Sequence, residues 1–394
     1  MKITLGSFAL FVAAFGACTT FGSSPQGEQP DGGAVTEAGT DALVLPSDGG
    51  DETSGPLACV HLPRGVAKPC TSCVVDQVHA IVPGDATVGP FVFGVAVDAT
   101  HVYWIEQSGD RAYDGVGTTS IVKRKSLSSG STEESLVTTG IVFNRLALTS
   151  QHVWLGSGDP GFVTRFDKSC AGSACTLVPL GVLETASRMV PFKDGLAVAT
   201  GGPIRTYNAQ GSPSFVNVEL GTRGLAWLGE SRLAYVVERS TTGPSDIKFI
   251  GGGDPLPLLP LHPSPANSAF EPRGASHVAA SCDGNLWAVQ RFRKERRGGE
   301  DFVFAVVRAG ASMSPVGTPI ESALFMASDA THAYIGQPNG KGLVRANPDG
   351  TTNPVVPQVS AWSLSVTDDY VYFDDHGTLG SPSSKGIFRM KKSD

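Results

Sequence analysis

Charged and aromatic residues are scarce in this chain. Only 17% of its 394 residues are charged and 8% are aromatic, whereas typical soluble domains are roughly 25% charged. Gly 48 and Pro 27 are frequent instead, and because both residues break helices, this composition favours many short strands and turns over long helices. The 41% hydrophobic content is enough for a large core, which excludes disorder of the whole chain.

The sequence also lacks the standard motifs of catalysis and of cofactor or metal binding. It contains no Gly-x-Ser-x-Gly, His-Glu-x-x-His, Gly-x-x-x-x-Gly-Lys or Asp-x-Asp-x-Asp-Gly segment, and so none of the hydrolase, zinc, phosphate or calcium signatures that these represent. His101, His152 and His332 occupy equivalent positions of a repeat and would be spread around a ring, so they cannot converge on one metal ion. We therefore predict no cofactor and no metal site.

Long hydrophobic runs are absent apart from residues 3–17, which follow Lys2. This run is too short to span a bilayer core of roughly 30 Å but suits the apolar region of a signal peptide. It ends in Phe15-Gly16-Ala17-Cys18, which resembles the lipobox of bacterial lipoproteins with Phe15 in place of an aliphatic residue. The resemblance implies a signal peptide at residues 1–17, lipidation of Cys18 and, from Thr19, an outer-membrane location. Simple secretion after cleavage at Val12-Ala13-Ala14 is the alternative.

Negative charge is concentrated after this segment. Seven acidic residues and no lysine or arginine lie between residues 19 and 57, so this stretch accounts for the net charge of −7 and leaves the body near neutral. Nucleic acid and anionic surfaces are therefore not obvious partners. With few large apolar side chains, residues 18–57 are expected to form a flexible linker that reaches about 35 Å. A cysteine-containing lead-in at residues 58–73 follows it.

A short pattern recurs seven times in the remainder of the chain. Each copy has an apolar strand, a polar turn and a second strand of the Val-Tyr-Trp type, and the copies recur about every 45 residues, as in four-stranded propeller blades. The second-strand segments are Val102-Tyr103-Trp104, Val153-Trp154-Leu155, Leu196-Ala197-Val198, Leu233-Ala234-Tyr235, Leu286-Trp287-Ala288, Ala333-Tyr334-Ile335 and Val371-Tyr372-Phe373.

Each copy continues into a third strand that carries an arginine or lysine, and then into a more polar fourth strand. The last copy reaches Asp394 without a fourth strand, whereas an additional alternating strand at residues 74–82 precedes the first copy. We therefore predict an all-β fold, a seven-bladed β-propeller at residues 74–394 whose N-terminal strand pairs with residues 387–390 and completes the last blade. An open two-sheet sandwich is the alternative.

The Val-Tyr-Trp repeats resemble those of propeller-like bacterial lipoproteins and exported proteins, and more loosely those of the YWTD, NHL and Tol-system propellers. The resemblance covers residues 74–394 and implies a fold but hardly any function, because such rings host binding platforms, lyases and hydrolases alike. The recurring aromatic residues are expected to fill the space between adjoining sheets rather than to stack on sugars.

Seven cysteines in an exported chain indicate one lipid-bearing residue and six that are available for disulfides. Cys170 and Cys175 flank a tight segment and are predicted to pair. Cys59, Cys70, Cys73 and Cys282 allow three pairings. The spacing of Cys70 and Cys73 also matches a redox or zinc half-site, but no second such pair exists in the sequence, which favours structural disulfides.

Charged residues gather between the second and third strands, on one predicted rim of the ring. Loops on a rigid scaffold are a common place for binding residues. The candidates are Glu106, Asp110, Arg111, Asp114, Glu238, Arg239, Arg291, Arg293, Asp374, Asp375 and His376. The basic stretch at residues 291–297 also contains Lys294, Arg296 and Arg297, but it alternates with Glu295 and has only Phe292 as an aromatic platform, so no nucleic-acid partner is expected.

Two functions follow from this organisation. The favoured one is a membrane-tethered, non-catalytic platform that binds a protein or polysaccharide of the cell envelope through the rim, on the periplasmic or outer face of the outer membrane. The alternative is an exported lyase or hydrolase, in which Asp374, Asp375 and His376 would act as acid, base or metal-binding groups in the mouth of the ring.

Overall fold

The computed structural model describes most of the repeat region. The described residues are 75–80, 91–108, 118–158, 161–172, 175–183, 186, 188–216, 221–229, 231–237, 246–260, 262–264, 266, 269–280, 286–297, 299–309, 313–329, 331–376 and 385–392. They form seven antiparallel sheets of four strands each. In this part of the chain, no helix is long and apolar enough to cross a membrane.

Each of the first six sheets is one run of four consecutive strands, which we number as blades 1 to 6. Blade 1 comprises β2 (Phe91–Val97), β3 (His101–Ser108), β4 (Thr119–Ser126) and β5 (Glu133–Thr139). Blade 2 comprises β6 (Arg145–Leu148), β7 (His152–Gly156), β8 (Gly161–Asp167) and β9 (Val178–Leu183). Blade 3 comprises β10 (Arg188–Phe192), β11 (Gly195–Ala199), β12 (Ile204–Tyr207) and β13 (Pro213–Phe215).

Blades 4 to 6 repeat this order. Blade 4 comprises β14 (Thr222–Trp227), β15 (Leu233–Val237), β16 (Asp246–Ile250) and β17 (Leu256–Pro257). Blade 5 comprises β18 (Glu271–Ala280), β19 (Leu286–Arg296), β20 (Gly299–Ala309) and β21 (Met313–Ile320). Blade 6 comprises β22 (Phe325–Ser328), β23 (Ala333–Gln337), β24 (Gly342–Ala346) and β25 (Thr352–Val356). All seven Val-Tyr-Trp segments lie in second strands, counting β27 (Tyr370–Asp375) of the last blade, so the repeat pattern predicted the blades correctly.

Blade 7 is built from both ends of the repeat region. β26 (Leu364–Val366), β27 and β28 (Gly386–Lys391) supply three strands, and β1 (Val75–Ala80) is the outer fourth. β1 is antiparallel to β28, with Val75 opposite Met390 and Ala80 opposite Gly386. The predicted closure is therefore confirmed. A bulge between Gln77 and His79 breaks the predicted alternation, and it turns His79 into the most buried side chain of the strand.

The first strands of the blades line a central channel. β2, β6, β10, β14, β18, β22 and β26 contact each other in that order, and β26 returns to β2. This continuous circuit is a seven-bladed β-propeller, and it excludes the open sandwich, in which the first and last sheets would not meet.

The core is divided into clusters that neighbouring blades share. Trp154 of blade 2 packs with Leu196 and Tyr207 of blade 3, and Trp287 of blade 5 packs with Ile335 of blade 6. Each large second-strand side chain thus fills the gap between two twisted sheets, as predicted. The hydrophobic contacts that define each blade therefore also hold the ring together.

The recurrent cation of the third strand lies opposite the second-strand aromatic. Arg165 is paired in register with Trp154 and lies 5.6 Å from its ring, and Arg308 relates to Trp287 in the same way at 5.3 Å. A guanidinium over an aromatic face is attracted by the ring quadrupole. In blades 2 and 5, the repeated arginine therefore has a structural role beside the core aromatic.

Two nearly identical sequence copies form the same turn. Asp98 Oδ1 accepts hydrogen bonds of 2.8 Å from the backbone N–H groups of Thr100 and His101. In blade 6, Asp329 Oδ1 accepts the equivalent bonds from residues 331 and 332, at 2.8 and 2.7 Å. These Asx turns join the first strand to the second. His101 and His332 are part of the turns, so their role is structural.

Candidate functional site

A cavity of about 380 Å³ opens at one end of the central channel. Adjacent strands are antiparallel, so the beginnings of the first strands and the ends of the second strands meet at this end, which we call the mouth. The cavity is lined by Phe93, Gly94, Gln107, Val142, Asn144, Arg145, Arg188, Arg273, Ala275, Ser276, His277, Arg291, Leu324, Phe325, Trp362 and Asp374. The mouth is therefore at the end of the ring where the second strands lead into the third strands.

A second cavity of about 150 Å³ lies deeper along the same strands. Compared with the mouth, this cavity is also lined by residues one position further along the first strands, such as Leu146 in β6 and Met326 in β22. Four long side chains line both cavities, and we call them the waist: Arg145, Arg188, His277 and Phe325. The channel thus has a polar mouth, a cationic waist and a more apolar interior.

The described side chains that line the mouth carry mostly positive charge. Arginines 145, 188, 273 and 291 line it, whereas Asp374 is the single carboxylate among the lining residues. None of the described residues that line the deeper cavity is a carboxylate. The near-neutral body of the protein therefore contains a local concentration of positive charge at the channel axis.

The waist is organised around one aromatic ring. The guanidinium carbons of Arg188 and Arg145 lie 4.1 Å and 5.5 Å from the centre of the Phe325 ring. Arg188 Nη2 donates a 2.6 Å hydrogen bond to the carbonyl of Leu324, and Arg145 Nη1 donates to the carbonyl of Asn144 at 2.8 Å. These contacts fix two cations on the same wall of the channel.

Burial makes the waist a costly place for positive charge. Burial and the neighbouring Arg145 lower the pKa of Arg188 to about 9. Burial also lowers the pKa of Arg145, against the opposing attraction of Asp374. Burial, together with the two arginines, lowers the pKa of His277 well below its usual value, so this imidazole is neutral near pH 7. Burial is the main cause of these shifts, and the mutual repulsion of the cations adds to it for Arg188 and His277.

Asp374 and Asp375 lie at the end of β27, and both are buried. Asp374 Oδ1 accepts the backbone N–H groups of Trp362 and Ser363 at 2.6 and 2.7 Å, and its Oδ2 accepts the Ser363 hydroxyl at 2.8 Å. Asp375 Oδ1 accepts the N–H of Ser360 at 2.8 Å. Both carboxylates therefore hold the segment that leads into β26.

His376 sits among aromatic rings beside this pair. It stacks on Trp362 at 5.0 Å with an interplanar angle of 19°, and it contacts Phe93 edge-on at 4.9 Å. Its Nε2 lies 3.3 Å from Asp374 Oδ2. The structure therefore brings together the three candidates Asp374, Asp375 and His376, with Trp362 as an additional mouth residue that the sequence reasoning missed.

Glu106 lies away from the mouth, in a network with the closing strand. Its Oε2 is 2.7 Å from Lys123 Nζ and 3.4 Å from His79 Nε2, while His79 Nδ1 is 2.8 Å from Glu133 Oε1. His79 belongs to blade 7 and the other three residues to blade 1. Glu106 therefore joins two blades.

The basic stretch lies on a strand and not in a loop. β19 extends to Arg296 because it forms a long hairpin with β20. Arg291 reaches the cavity and lies 5.1 Å from the Phe302 ring, whereas Arg293 forms a 2.7 Å ion pair with Glu295. Lys294 lies 5.9 Å from the ring of Phe270. Of the side chains that the structure describes in this stretch, Arg291 is the one that lines the mouth.

The remaining rim candidates and most cysteines fall outside the described residues. These are Asp110, Arg111, Asp114, Glu238, Arg239, Cys18, Cys59, Cys70, Cys73 and Cys282. A disulfide joins Cys170 and Cys175 with a Cα–Cα distance of 5.3 Å, after the third strand of blade 2. Within the described ranges, no group of three or more His, Cys, Asp or Glu side chains is placed to hold a metal ion.

Sequence reasoning overlooked the arginines at the start of the first strands. Arg145 and Arg188 are the first residues of β6 and β10, and Arg273 is near the start of β18. These positions differ from those of the predicted candidates, which lie between second and third strands. The available signal was an arginine just before an apolar first strand in several copies of the repeat.

The fold is similar to that of solved propellers at very low sequence identity. The β-propeller domain of the Trilobed protease from Pyrococcus furiosus matches with a TM-score of 0.50 and 8% identity, over 77% of this chain and 96% of that one. The WD40 β-propeller domain of Doa1 matches with a TM-score of 0.55 and 12% identity, over 80% and 96%. These similarities show the fold alone.

Sequence comparisons add no relative. No protein-family model matches the chain, and no curated protein matches it significantly.

The Trilobed protease domain has an open velcro topology, whereas β1 completes the last blade here. The class that fold and cavity define is therefore a seven-bladed β-propeller with an arginine-lined channel mouth.

Proposed function

We propose that this protein is an exported, non-catalytic binding platform that is tethered to the outer membrane and engages a protein or polysaccharide of the cell envelope at the channel mouth. The observation that carries the proposal is the 380 Å³ cavity in which arginines and aromatic rings converge from several blades. Pockets of this size with a few convergent polar groups are the usual binding sites of folded domains.

The internal use of the acidic residues supports binding over catalysis. Asp374 accepts three hydrogen bonds from residues 362 and 363. A general base must instead have its carboxylate oxygen within reach of a substrate proton, so these internal hydrogen bonds favour a structural role for Asp374. The 3.3 Å contact between His376 and Asp374 is the one observation that favours the lyase or hydrolase alternative, because an Asp-oriented histidine at a cavity is a common acid–base arrangement.

The tether follows from the sequence. Lipidated Cys18 and the acidic linker at residues 18–57 would hold the propeller about 35 Å from the membrane, free to present its mouth to partners.

Capture from envelope fractions tests this function. Full-length protein in detergent is incubated with solubilised envelope proteins and, separately, with purified envelope polysaccharide. Arg273→Gln removes a mouth cation, and Arg232→Gln is the matched control, because Arg232 is exposed in the turn between β14 and β15, at the opposite end of the ring. We expect Arg273→Gln to reduce capture and Arg232→Gln to leave it unchanged. Equal capture by both variants would contradict a platform at the mouth.

A further inference from the structure

We propose that the waist of the channel is an anion-binding site, which takes a carboxylate or phosphate group carried by the ligand of the platform. This inference rests on the proposed function, since it names the chemical group that the mouth recognises. Its key residues are Arg188 and Arg145 on the wall of Phe325, with Arg273 nearer the mouth.

Charge balance is the first argument. Among the described residues, Arg188 forms no ion pair, and Arg273 forms neither an ion pair nor a hydrogen bond. Asp374, the single carboxylate among the described lining residues, accepts backbone and hydroxyl donors and attracts Arg145, but it forms no ion pair with Arg188 or Arg273. Arg188 and Arg273 are thus cations in a confined channel without an ion-pair partner among the described residues. This is unfavourable, and a bound anion removes the penalty.

Geometry is the second argument. A guanidinium has five N–H donors in one plane, which match the oxygens of carboxylate and phosphate groups. Arg188 Nη2 donates a 2.6 Å hydrogen bond to the Leu324 carbonyl, and the guanidinium carbon lies 4.1 Å from the centre of the Phe325 ring, so two contacts restrict the position of the group. The remaining donors belong to a side chain that lines both cavities. An anion at the waist thus meets a preorganised fork.

Size is the third argument. The deeper cavity, about 150 Å³, has room for one small group only, whereas the mouth, about 380 Å³, has room for the part of a ligand that carries this group. The aromatic rings Trp362 and Phe93 line the mouth above the waist and provide apolar faces for the body of the same ligand. The ligand therefore presents one terminal or side-chain anion to the arginines while the rest of it stays in the mouth.

The test is direct binding of simple anions to the full-length protein in detergent. Isothermal titration at a fixed ionic strength of about 0.1 M uses sodium phosphate and sodium glucuronate as probes. Arg188→Met keeps an unbranched side chain against Phe325 but removes charge and donors, Arg188→Lys keeps the charge, and Arg232→Met is the control at the opposite end. Circular dichroism melts confirm that each variant is folded.

We expect wild type to bind at least one of the two anions. Arg188→Met should weaken that affinity about tenfold or more, as loss of hydrogen bonds to a charged group does; Arg188→Lys should retain part of it, and Arg232→Met all of it. Preference for glucuronate would identify a carboxylate, and preference for phosphate a phosphate group. The inference is overturned if wild type binds neither anion, or if the Met variants at 188 and 232 bind equally well.

The two experiments distinguish a failure of the platform function from a failure of the anion-binding site. If the anions bind as expected but no envelope fraction is captured, the anion site stands and the platform function falls. If envelope capture succeeds but neither phosphate nor glucuronate binds wild type, the platform stands and the anion site is wrong. Arg273→Gln connects the two assays, because it should lower both capture and anion affinity.

Discussion

The guanidinium of Arg188 lies 4.1 Å from the centre of the Phe325 ring, on the wall of the channel. Arg145 shares the same ring from 5.5 Å. Two like charges on one aromatic face repel each other, and the pKa of Arg188 is accordingly lowered to about 9 by burial and by Arg145. Without an anion, this arrangement costs the folded state free energy, which is typical of binding sites.

Removal of this charge should stabilise the ligand-free protein. We expect Arg188→Met to raise the free energy of unfolding by about 1 kcal/mol, because replacing a poorly compensated buried charge with an apolar side chain is often stabilising. Thermal or urea melts in buffers without phosphate or carboxylate measure the effect, with Arg232→Met as the control. A variant less stable than wild type would show that Arg188 contributes mainly to the fold.

The ion pair between Asp329 and Lys392 should be a strong connection between blades 6 and 7. Asp329 Oδ2 is 2.9 Å from Lys392 Nζ, and both side chains are buried. Asp98 of blade 1 and Lys168 of blade 2 repeat the pair. We expect Asp329→Asn to lower the free energy of unfolding by about 3 kcal/mol, because the lysine stays buried without its partner. The Asp329→Asn/Lys392→Met double variant should recover part of the loss in urea melts.

The same pair predicts sensitivity to acid. Burial raises the pKa of Asp329, but hydrogen bonds to His332 and the attraction of Lys392 outweigh it, so the net pKa is lowered. A lowered carboxyl pKa gives stability that is present above the unfolded-state value, about 3.9, and is lost as pH falls toward the folded-state value. Asp329→Asn should therefore flatten the decline of the melting temperature below pH 4. An unchanged decline would contradict this assignment.

His79 should make ring closure dependent on pH. Burial lowers its pKa, but the contact with Glu106 and the hydrogen bond to Glu133 outweigh this effect and raise it overall. The contribution is complete below the unfolded-state pKa of about 6.5 and is lost as pH rises through the folded-state value. We expect wild type to lose about 1 kcal/mol of stability above this range, the usual size for a partly exposed ion pair.

The control for this prediction is His79→Gln. Glutamine keeps a hydrogen-bonding side chain but has no charge to lose, so the difference in melting temperature between pH 6 and pH 8 should shrink in the variant. Equal pH dependence in both proteins would show that other groups cause it.

The fold was predictable from the sequence because its signals are local and repeated. A second-strand aromatic such as Trp154 and a third-strand cation such as Arg165 are close in the chain and recur in each copy. The waist was not predictable in this way. Arg145, Arg188 and His277 lie on three different blades, and only closure of the ring brings them together. A near-neutral net charge also concealed the local excess of arginine.

Membrane attachment through Cys18 stays a prediction. We expect Cys18→Ser to move the protein from the membrane to the soluble fraction and to abolish labelling with radioactive palmitate, since the acyl chains provide the membrane affinity. Fractionation and autoradiography measure both effects. A wild-type protein that takes up no palmitate would exclude lipidation and leave simple secretion.

Closure of blade 7 by β1 should decide whether the ring is stable. Deletion of residues 58–83 removes β1, leaves the backbone of β28 as an unpaired edge, and uncovers Ile387 and Met390, which are 0% and 1% exposed in the structure. Exposed edges promote aggregation, and the network of His79 with Glu106 and Glu133 is lost as well. We therefore expect the truncated protein to aggregate or to unfold without a cooperative transition.

Deletion of residues 19–57 is the matched control, because this segment precedes the propeller and its composition predicts a linker. Its removal should leave the melting transition unchanged, since no strand of any blade is lost. The decisive comparison is the width and midpoint of the two thermal transitions, measured with light scattering to detect aggregates. If a protein that lacks residues 58–83 melts as sharply and at the same temperature as full-length protein, the contacts between neighbouring first strands suffice to hold the ring, and β1 is dispensable for its stability.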